Sequence, residues 1–253
     1  MKLQNTSIIV TGGASGLGAA TARLLAAGGA RVAICDKNYN GALELASEIN
    51  GLAIDCDVSD ENSARSAFAK VNEVHGIARV LINCAGIPSS GRIVGKQGPM
   101  ALSDFEKTIR INLIGSFNMM RLAATEMLTL NNLEEDERGV IISTASIAAY
   151  EGQIGQAAYA ASKGGIVSLT LPAAREFAQF GIRVNAIAPG LFLTPLLEAL
   201  PGDTIQKLSD SIPFPKRLGS PDDFAALVKH IIENPYINGE VIRLDGAMRM
   251  QPK

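Results

Sequence analysis

The stretch SIIVTGGASGLG, residues 7–18, decides the fold, because an apolar β-branched run passes directly into a glycine loop that opens a helical segment. Gly12 suits a tight turn, Gly16 lets the backbone approach a ligand, and Gly18 lets the following helix pack on the sheet. The start of that helix presents unpaired N–H groups, which bind phosphate. We therefore predict a pyrophosphate-binding loop that also includes Ser15 and Leu17. The alternative interpretation is a plain turn.

Six further short apolar runs, each bounded by turn residues, continue this pattern at residues 31–36, 51–58, 79–86, 139–146, 183–190 and 240–246. Segments with helical spacing lie between them, including 18–29, 63–76, 104–128, 157–181 and 221–234. Strands that are apolar throughout, rather than alternating, indicate a parallel sheet covered on both faces. We predict an α/β fold: a single-domain, Rossmann-like, doubly wound parallel sheet of seven strands with helices on both faces. Residues 1–253 are expected to form that one domain, with a substrate lid over about 191–218.

Composition restricts the possible partners. Of 253 residues, 47% are hydrophobic and 19% charged, and the net charge is -2. No basic face indicates a nucleic acid partner, and no polybasic run indicates a membrane surface. The three cysteines have no metal-ligand spacing, so we predict free thiols and no metal site. The first strand begins close to Met1, which leaves no room for a targeting segment, and we expect a cytoplasmic protein that binds a small molecule. The acidic run LEEDE (133–137) is predicted to be a solvated loop.

Two acidic positions at strand ends predict which dinucleotide is bound. Asp36 closes the second predicted strand, where a carboxylate accepts hydrogen bonds from ribose hydroxyls and repels a 2′-phosphate. NAD is therefore favoured over NADP, although the adjacent Lys37 could admit NADP. Asp57 and Val58 end the third strand, where a carboxylate and a backbone N–H could hold the adenine. A solvated loop aspartate is the alternative interpretation of Asp57.

The stretch AYAASKGGI (158–166) places Tyr159 and Lys163 four residues apart, on the same face of a helix. A lysine ammonium beside a phenol favours the phenolate, so we predict that Lys163 lowers the pKa of Tyr159 and makes it a general acid/base. Ser146, at the end of the fifth strand, would hydrogen-bond the same substrate oxygen. Asn112, in the segment 104–128, could hold a water that passes protons to Lys163, or it could be a structural helix residue.

Taken together, these motifs resemble the short-chain dehydrogenase/reductase family over almost the whole chain. The matching residues are Thr11 and the glycines of the loop, NCAG at 83–86, Asn112, Ser146, Tyr159 with Lys163, and PG at 189–190. One departure is Cys84, where the family more often has asparagine. The resemblance implies that Asn83, Cys84, Ala85 and Gly86 face the cofactor, and that the segment containing Pro189, Phe192 and Thr194 contacts the nicotinamide.

Within the family, the segments GVIISTASIAAYEGQIGQAAYAASKGGIVSLTLP, IAPGLFLTPLL and IIENPYINGEVIRLDGAMRMQP are similar to the short-chain 3-hydroxyacyl-CoA dehydrogenase group, also described as type-10 17β-hydroxysteroid dehydrogenases. That similarity implies NAD-dependent oxidation of (S)-3-hydroxyacyl-CoA thioesters or related secondary alcohols by a homotetramer. A 3-oxoacyl-carrier-protein reductase and a hydroxysteroid dehydrogenase are alternatives. A non-catalytic scaffold subunit is a third, but nothing in that role requires the spacing of Ser146, Tyr159 and Lys163.

Overall fold

The computed structural model describes residues 1–96, 98–198 and 201–252. Its strands, in chain order, are β1 (Ser7–Thr11), β2 (Arg31–Asp36), β3 (Leu52–Asp55), β4 (Val80–Asn83), β5 (Val94–Gly95), β6 (Gly98–Pro99), β7 (Gly139–Thr144), β8 (Ile182–Pro189) and β9 (Val241–Leu244). Seven of them form one sheet in the order β3-β2-β1-β4-β7-β8-β9, and every pairing in it is parallel. All seven predicted strands are confirmed. The two-residue strands β5 and β6 form a small antiparallel hairpin in the loop after β4.

Helices cover both faces of this sheet. They are α1 (Gly16–Ala27), α2 (Tyr39–Ile49), α3 (Glu61–His75), α4 (Leu102–Ile109), α5 (Gly115–Met127), α6 (Ala148–Glu151), α7 (Ala157–Ala178), α8 (Pro195–Glu198), α9 (Gly202–Asp210) and α10 (Pro221–Glu233). The five predicted helical segments are confirmed as helical. Helix α2 was not among them, although Asn38 caps it by accepting a hydrogen bond from the Gly41 amide.

Two apolar layers explain why the strand sequences are apolar throughout. Successive residues of β1 point to opposite faces of the sheet. Ile9 packs in the layer that contains Phe68 of α3 and Met119 of α5. Ile8 and Val10 pack in the other layer, with Leu25 of α1 and Phe224 of α10. Because both faces of the strand are buried, an alternating pattern would place polar side chains in one of the two layers.

The strand order places a ligand crevice at the carboxyl end of β1. The chain moves from β1 to β2 and β3 on one side, and from β4 onward to the other side. Where the order reverses in this way, the loops at the carboxyl ends of the two central strands separate and leave a crevice. The glycine loop after β1 and the NCAG segment after β4 form its two walls.

Two predictions about local structure differ from what is observed. Segment 104–128 is not one α-helix, because a π-helical turn over Arg110–Ile114 separates α4 from α5. Such a turn is typical of functional sites. In the acidic run 133–137, Glu137 is buried and forms an ion pair with Arg183 at 2.7 Å, so only residues 133–136 are exposed as predicted. Within the described ranges, no helix has the length and apolar character needed to cross a membrane.

Candidate active site

The glycine loop has the tight geometry that its sequence predicts. Gly12 has a φ of +62°, and a Cβ there would lie 2.6 Å from the Ala85 backbone. A Cβ on Gly18 would overlap the Gly12 carbonyl oxygen, so α1 can begin this close to the loop only with glycine at that position. Gly16 has a φ of +52° and lies near Thr194, whose Cγ2 would be 3.6 Å from an added Cβ. The loop therefore contacts both the NCAG segment and the start of the predicted lid.

The first turn of α1 is prepared for an anion. Ser15 is exposed at the N-cap position, and its side chain makes no capping hydrogen bond. The first N–H groups of the helix therefore lack a side-chain partner and lie at its positive dipole end. Leu17 packs its side chain against the apolar layer under α1, which leaves its backbone N–H as the group that could face a phosphate.

Asp36 lies beside the glycine loop and helps to shape it. One carboxylate oxygen accepts a hydrogen bond from the Ala14 amide at 3.0 Å, and the other accepts one from the Asn38 amide at 2.9 Å. Each oxygen retains further lone pairs for ribose hydroxyls. The carboxylate therefore fixes the loop and remains available as an acceptor at the end of β2.

Lys37 does not stand free next to Asp36, since its ammonium forms an ion pair with Asp57 at 2.8 Å. Partial burial opposes ionisation of the Asp57 carboxyl, but hydrogen bonds from Lys37 and Ser59 outweigh it and lower the pKa of Asp57. Val58 is buried, and its carbonyl accepts a hydrogen bond from the Asn118 side chain. Asp57 is thus held in place by an ion pair and hydrogen bonds, and it is not a freely solvated loop residue.

The NCAG segment is tied to β1 and β7. The Ala85 amide donates to the Thr11 hydroxyl at 3.2 Å. The Asn83 side chain donates to the Ser143 hydroxyl and to a backbone carbonyl, while its buried Oδ1 has no partner in the described protein. Cys84 accepts a hydrogen bond from the Thr144 hydroxyl, and burial raises the pKa of its thiol to about 11. Cys84 is therefore a neutral, structural thiol at neutral pH.

Lys163 reaches from α7 to the carboxyl end of β7. Its ammonium donates to the Thr144 carbonyl at 2.7 Å and lies 5.8 Å from the centre of the Tyr159 ring. The side chain is buried, and this desolvation lowers the pKa of Lys163 to about 8. The ammonium is therefore poised to lose its charge within reach of neutral pH.

The pKa of Tyr159 differs from the prediction. Burial raises the pKa of the phenol, and a hydrogen bond with Ser146 only partly offsets this effect. The ammonium of Lys163 donates to the Thr144 carbonyl and not to the phenol, and it lies 5.8 Å from the centre of the ring. Ser146 lies two residues beyond β7, where its hydroxyl also accepts the Ala148 amide at 3.1 Å. The structure thus brings Ser146, Tyr159 and Lys163 together as predicted, with Ser146 as the immediate partner of the phenol.

Asn112 lies in the π-helical turn and is completely buried. Its carboxamide clamps Ile87 by accepting the amide at 2.8 Å and donating to the carbonyl at 3.0 Å, and it also donates to the Ser162 hydroxyl. These partners occupy the side chain that we predicted to hold a water next to Lys163. Asn112 therefore acts on the site by fixing the loop after Gly86, a role that the sequence did not reveal.

Phe192 and Thr194 follow β8, as predicted, but they face different environments. The Phe192 ring is buried edge-on against Phe224, with ring centres 6.4 Å apart, so its side chain belongs to the core and only its backbone can face a ligand. Thr194 is partly exposed beside Gly16, in a position that suits contact with a bound dinucleotide. Pro189 ends β8, and the Gly190 amide is fixed by the Leu244 carbonyl.

Two residues of this site were missed in the sequence. Thr144 binds Lys163 through its carbonyl and Cys84 through its hydroxyl. Ser162 accepts from Asn112 and donates to the Tyr159 carbonyl at 2.7 Å, which joins the π-helical turn to the helix that carries the phenol. The only available signal for Ser162 was its position between Tyr159 and Lys163, one residue before the lysine.

The residues that are present fit a dinucleotide. The open first turn of α1, the close approach at Gly12 and Gly16, and the acceptor at Asp36 supply sites for its phosphates and ribose. Among the described residues, no three His, Cys, Asp or Glu side chains are grouped so that they could hold a metal ion.

Comparison with known proteins agrees with this geometry. The family model described as short chain dehydrogenase matches residues 6–204. The human 3-hydroxyacyl-CoA dehydrogenase type-2 is 49% identical over 248 residues, covering 96% of this chain and 95% of the relative. The Drosophila melanogaster protein of the same name is 45% identical, covering 99% and 100% of the two chains. The crystal structure of 3-hydroxyacyl-CoA dehydrogenase type-2 from Mycobacterium avium superposes with a TM-score of 0.94 at 43% identity, covering 100% of both chains.

Proposed function

The chain belongs to the short-chain dehydrogenase family, and we propose that it oxidises (S)-3-hydroxyacyl-CoA thioesters to 3-ketoacyl-CoA with NAD. The observation that carries this proposal is the assembly of Ser146, Tyr159 and Lys163 beside a dinucleotide loop at one edge of the sheet. Its similarity to proteins named for that substrate class, over almost the full length of both chains, supports the choice of substrate.

When bound, the nicotinamide would accept hydride from the carbinol carbon of the substrate. Tyr159 takes the hydroxyl proton as general base, and Ser146 donates a hydrogen bond to the same substrate oxygen. The buried ammonium of Lys163 stabilises the phenolate that this transfer requires, because a positive charge nearby favours the ionised phenol. Asn112 keeps the loop after Gly86 in place, so that these groups converge on one substrate position.

The preference for NAD over NADP follows from charge. Family members generally use one of these two dinucleotides, which differ in that the ribose attached to adenine carries a 2′-phosphate only in NADP. In this protein the Asp36 carboxylate lies at the end of β2, while the neighbouring Lys37 is paired with Asp57 and so does not offer an unshared charge to a 2′-phosphate. We therefore place the 2′- and 3′-hydroxyls of NAD at Asp36 and its adenine near Asp57 and Val58.

We also propose that the protein assembles as a homotetramer of single-domain subunits. Exposed apolar side chains cover the adjoining faces of α5 and α7, where Phe117 and Leu171 are 48% and 44% exposed. A groove of about 350 Å³ lies between these helices and suits packing against a second copy. We further propose one catalytic domain over residues 1–253, a lid over about 191–218, and a cytoplasmic location. Residues 199 and 200 of that lid lie outside the described residues.

The test is initial-rate oxidation of (S)-3-hydroxybutyryl-CoA with NAD and separately with NADP, followed by nicotinamide absorbance. We expect turnover with NAD, at least tenfold slower turnover with NADP, and loss of about 100-fold or more in Tyr159→Phe. The matched control is Tyr236→Phe, because Tyr236 is 98% exposed and remote from the site in the fold. Turnover of a steroid alcohol or a carrier-protein thioester, but not of the CoA thioester, would reject the substrate and retain the family.

A further inference from the structure

The chain that follows β9 makes a strained turn next to the catalytic region. Gly246 and Ala247 have φ values of +59° and +66°, and the Met248 amide donates to the Asp245 carbonyl at 3.0 Å. Positive φ at both central residues belongs to a turn type that favours glycine, so alanine is an unusual occupant. Such strain persists only where the surroundings hold it in place, and it concentrates at functional sites.

A cluster of charges holds this turn. Arg243 donates to Asp245 at 2.7 Å and to Glu151 at 2.8 Å. Glu151 also accepts the Met250 amide at 3.1 Å, so it binds the chain on both sides of the turn. The Glu151 amide in turn donates to the carbonyl of Ile147, the residue after Ser146. The strained turn is thereby fixed relative to the catalytic serine.

The turn directs Met248 into an apolar cluster shared with the lid. Met248 is 8% exposed and packs with Ile147, Ile212 and Leu218. Partly buried apolar side chains from the lid and the chain end complete this cluster: Leu191, Leu197, Ile205, Leu208 and Met250. The cluster therefore lies between the residue adjacent to Ser146 on one side and helices α8 and α9 on the other. Because Ile147 follows Ser146 directly, an apolar chain attached to a carbinol at Ser146 can reach this cluster.

We propose that Met248 determines which acyl-chain lengths the enzyme accepts, because it lies in the apolar cluster that an acyl chain would enter between Ile147 and the lid. This inference rests on the proposed function. An acyl chain that enters under the lid replaces contacts of the lid side chains and meets the thioether of Met248. Methionine is flexible enough to adapt to a chain end, but its position is fixed here by the charged cluster around Glu151.

The experiment measures kcat/KM with NAD for (S)-3-hydroxyacyl-CoA thioesters of four, eight, twelve and sixteen carbons, in the wild type, Met248→Ala and Met248→Phe. Each additional buried methylene changes kcat/KM by about fourfold. We expect Met248→Ala to raise the ratio of the longest to the shortest substrate by about tenfold, and Met248→Phe to lower it by a similar factor.

Met127→Ala is the matched control. Met127 is a fully buried methionine whose sulfur lies against Gly139, at the opposite end of β7 from Ser146. Its chain-length profile should match that of the wild type even though its melting temperature falls. If both Met248 variants keep the wild-type profile, the inference is wrong while the proposed function stands. If the wild type oxidises none of the thioesters, the proposed function fails and the inference falls with it.

Discussion

Replacing the buried lysine of the active site should stabilise the cofactor-free protein. Lys163 is 5% exposed, and its burial lowers the pKa from 10.5 to about 8. At pH 7 the side chain is charged in both the folded and the unfolded state, so the folded protein carries the full desolvation penalty. Lys163→Met keeps a similar volume and removes the charge. Activity should be lost, because no ammonium then supports the Tyr159 phenolate.

The expected gain in the free energy of unfolding of Lys163→Met is the difference between two opposing effects. A pKa drop of this size corresponds to a penalty of about 3 kcal/mol for the charged form. The hydrogen bond from the ammonium to the Thr144 carbonyl, worth about 1.5–3 kcal/mol for a charged donor, is lost in the variant. The difference predicts that Lys163→Met is more stable than the wild type by about 1 kcal/mol at pH 7.

The pH dependence makes this prediction specific. Between pH 8 and 10.5 the unfolded lysine holds its proton more tightly than the folded one, so the stability of the wild type rises with pH in that window. The advantage of the variant should therefore shrink, by about 2 kcal/mol between pH 7 and 9.5, and change sign. Urea unfolding of both proteins at the two pH values measures this. The control is Lys70→Met, which removes an exposed lysine on α3 and should show no such change. A variant less stable than the wild type at pH 7, or a difference independent of pH, would refute the reasoning.

Three further predictions follow from neighbouring contacts. Gly18→Ala should lower stability by about 1–3 kcal/mol and weaken NAD binding, because the new methyl would overlap the Gly12 carbonyl. The control is Gly164→Ala in α7, whose new methyl meets no atom within 4 Å. That variant should be neutral or slightly stabilising in thermal unfolding. Cys84 should react with iodoacetamide at pH 8 about 200-fold more slowly than a free cysteine, since its pKa of about 11 leaves little thiolate; rapid labelling of Cys84 in a mass-spectrometric time course would contradict that pKa. Glu137→Ala should destabilise the protein by about 3–5 kcal/mol in denaturant unfolding, because it leaves the buried Arg183 guanidinium without its carboxylate. A loss of stability below about 1 kcal/mol would show that hydrogen bonds to backbone carbonyls are enough to stabilise the buried guanidinium.

The fold was predictable because its information is local and repeated. Each strand is a short apolar run that ends in a glycine or a polar residue, and burial of both sheet faces makes that pattern continuous. The π-helical turn was not predictable in the same way. Arg110–Ile114 has no glycine or proline to mark a break, and the turn places Asn112 where its carboxamide binds Ile87 and Ser162, contacts that are distant in sequence. Glu137 was misjudged for a similar reason, since its partner Arg183 lies 46 residues away.

The membership of the site was predictable from spacing, but its electrostatics were not. The four-residue interval places Tyr159 and Lys163 on one helix face, yet it does not reveal that Lys163 is buried and Tyr159 partly buried. Burial raises the pKa of the phenol and lowers that of the ammonium, so the two proton affinities move apart and burial favours the neutral form of each group. A negative charge that forms on Tyr159 in this low-dielectric setting interacts more strongly with Lys163 than it would in water. The Thr144 carbonyl, which no motif identified, holds the ammonium ready for that interaction.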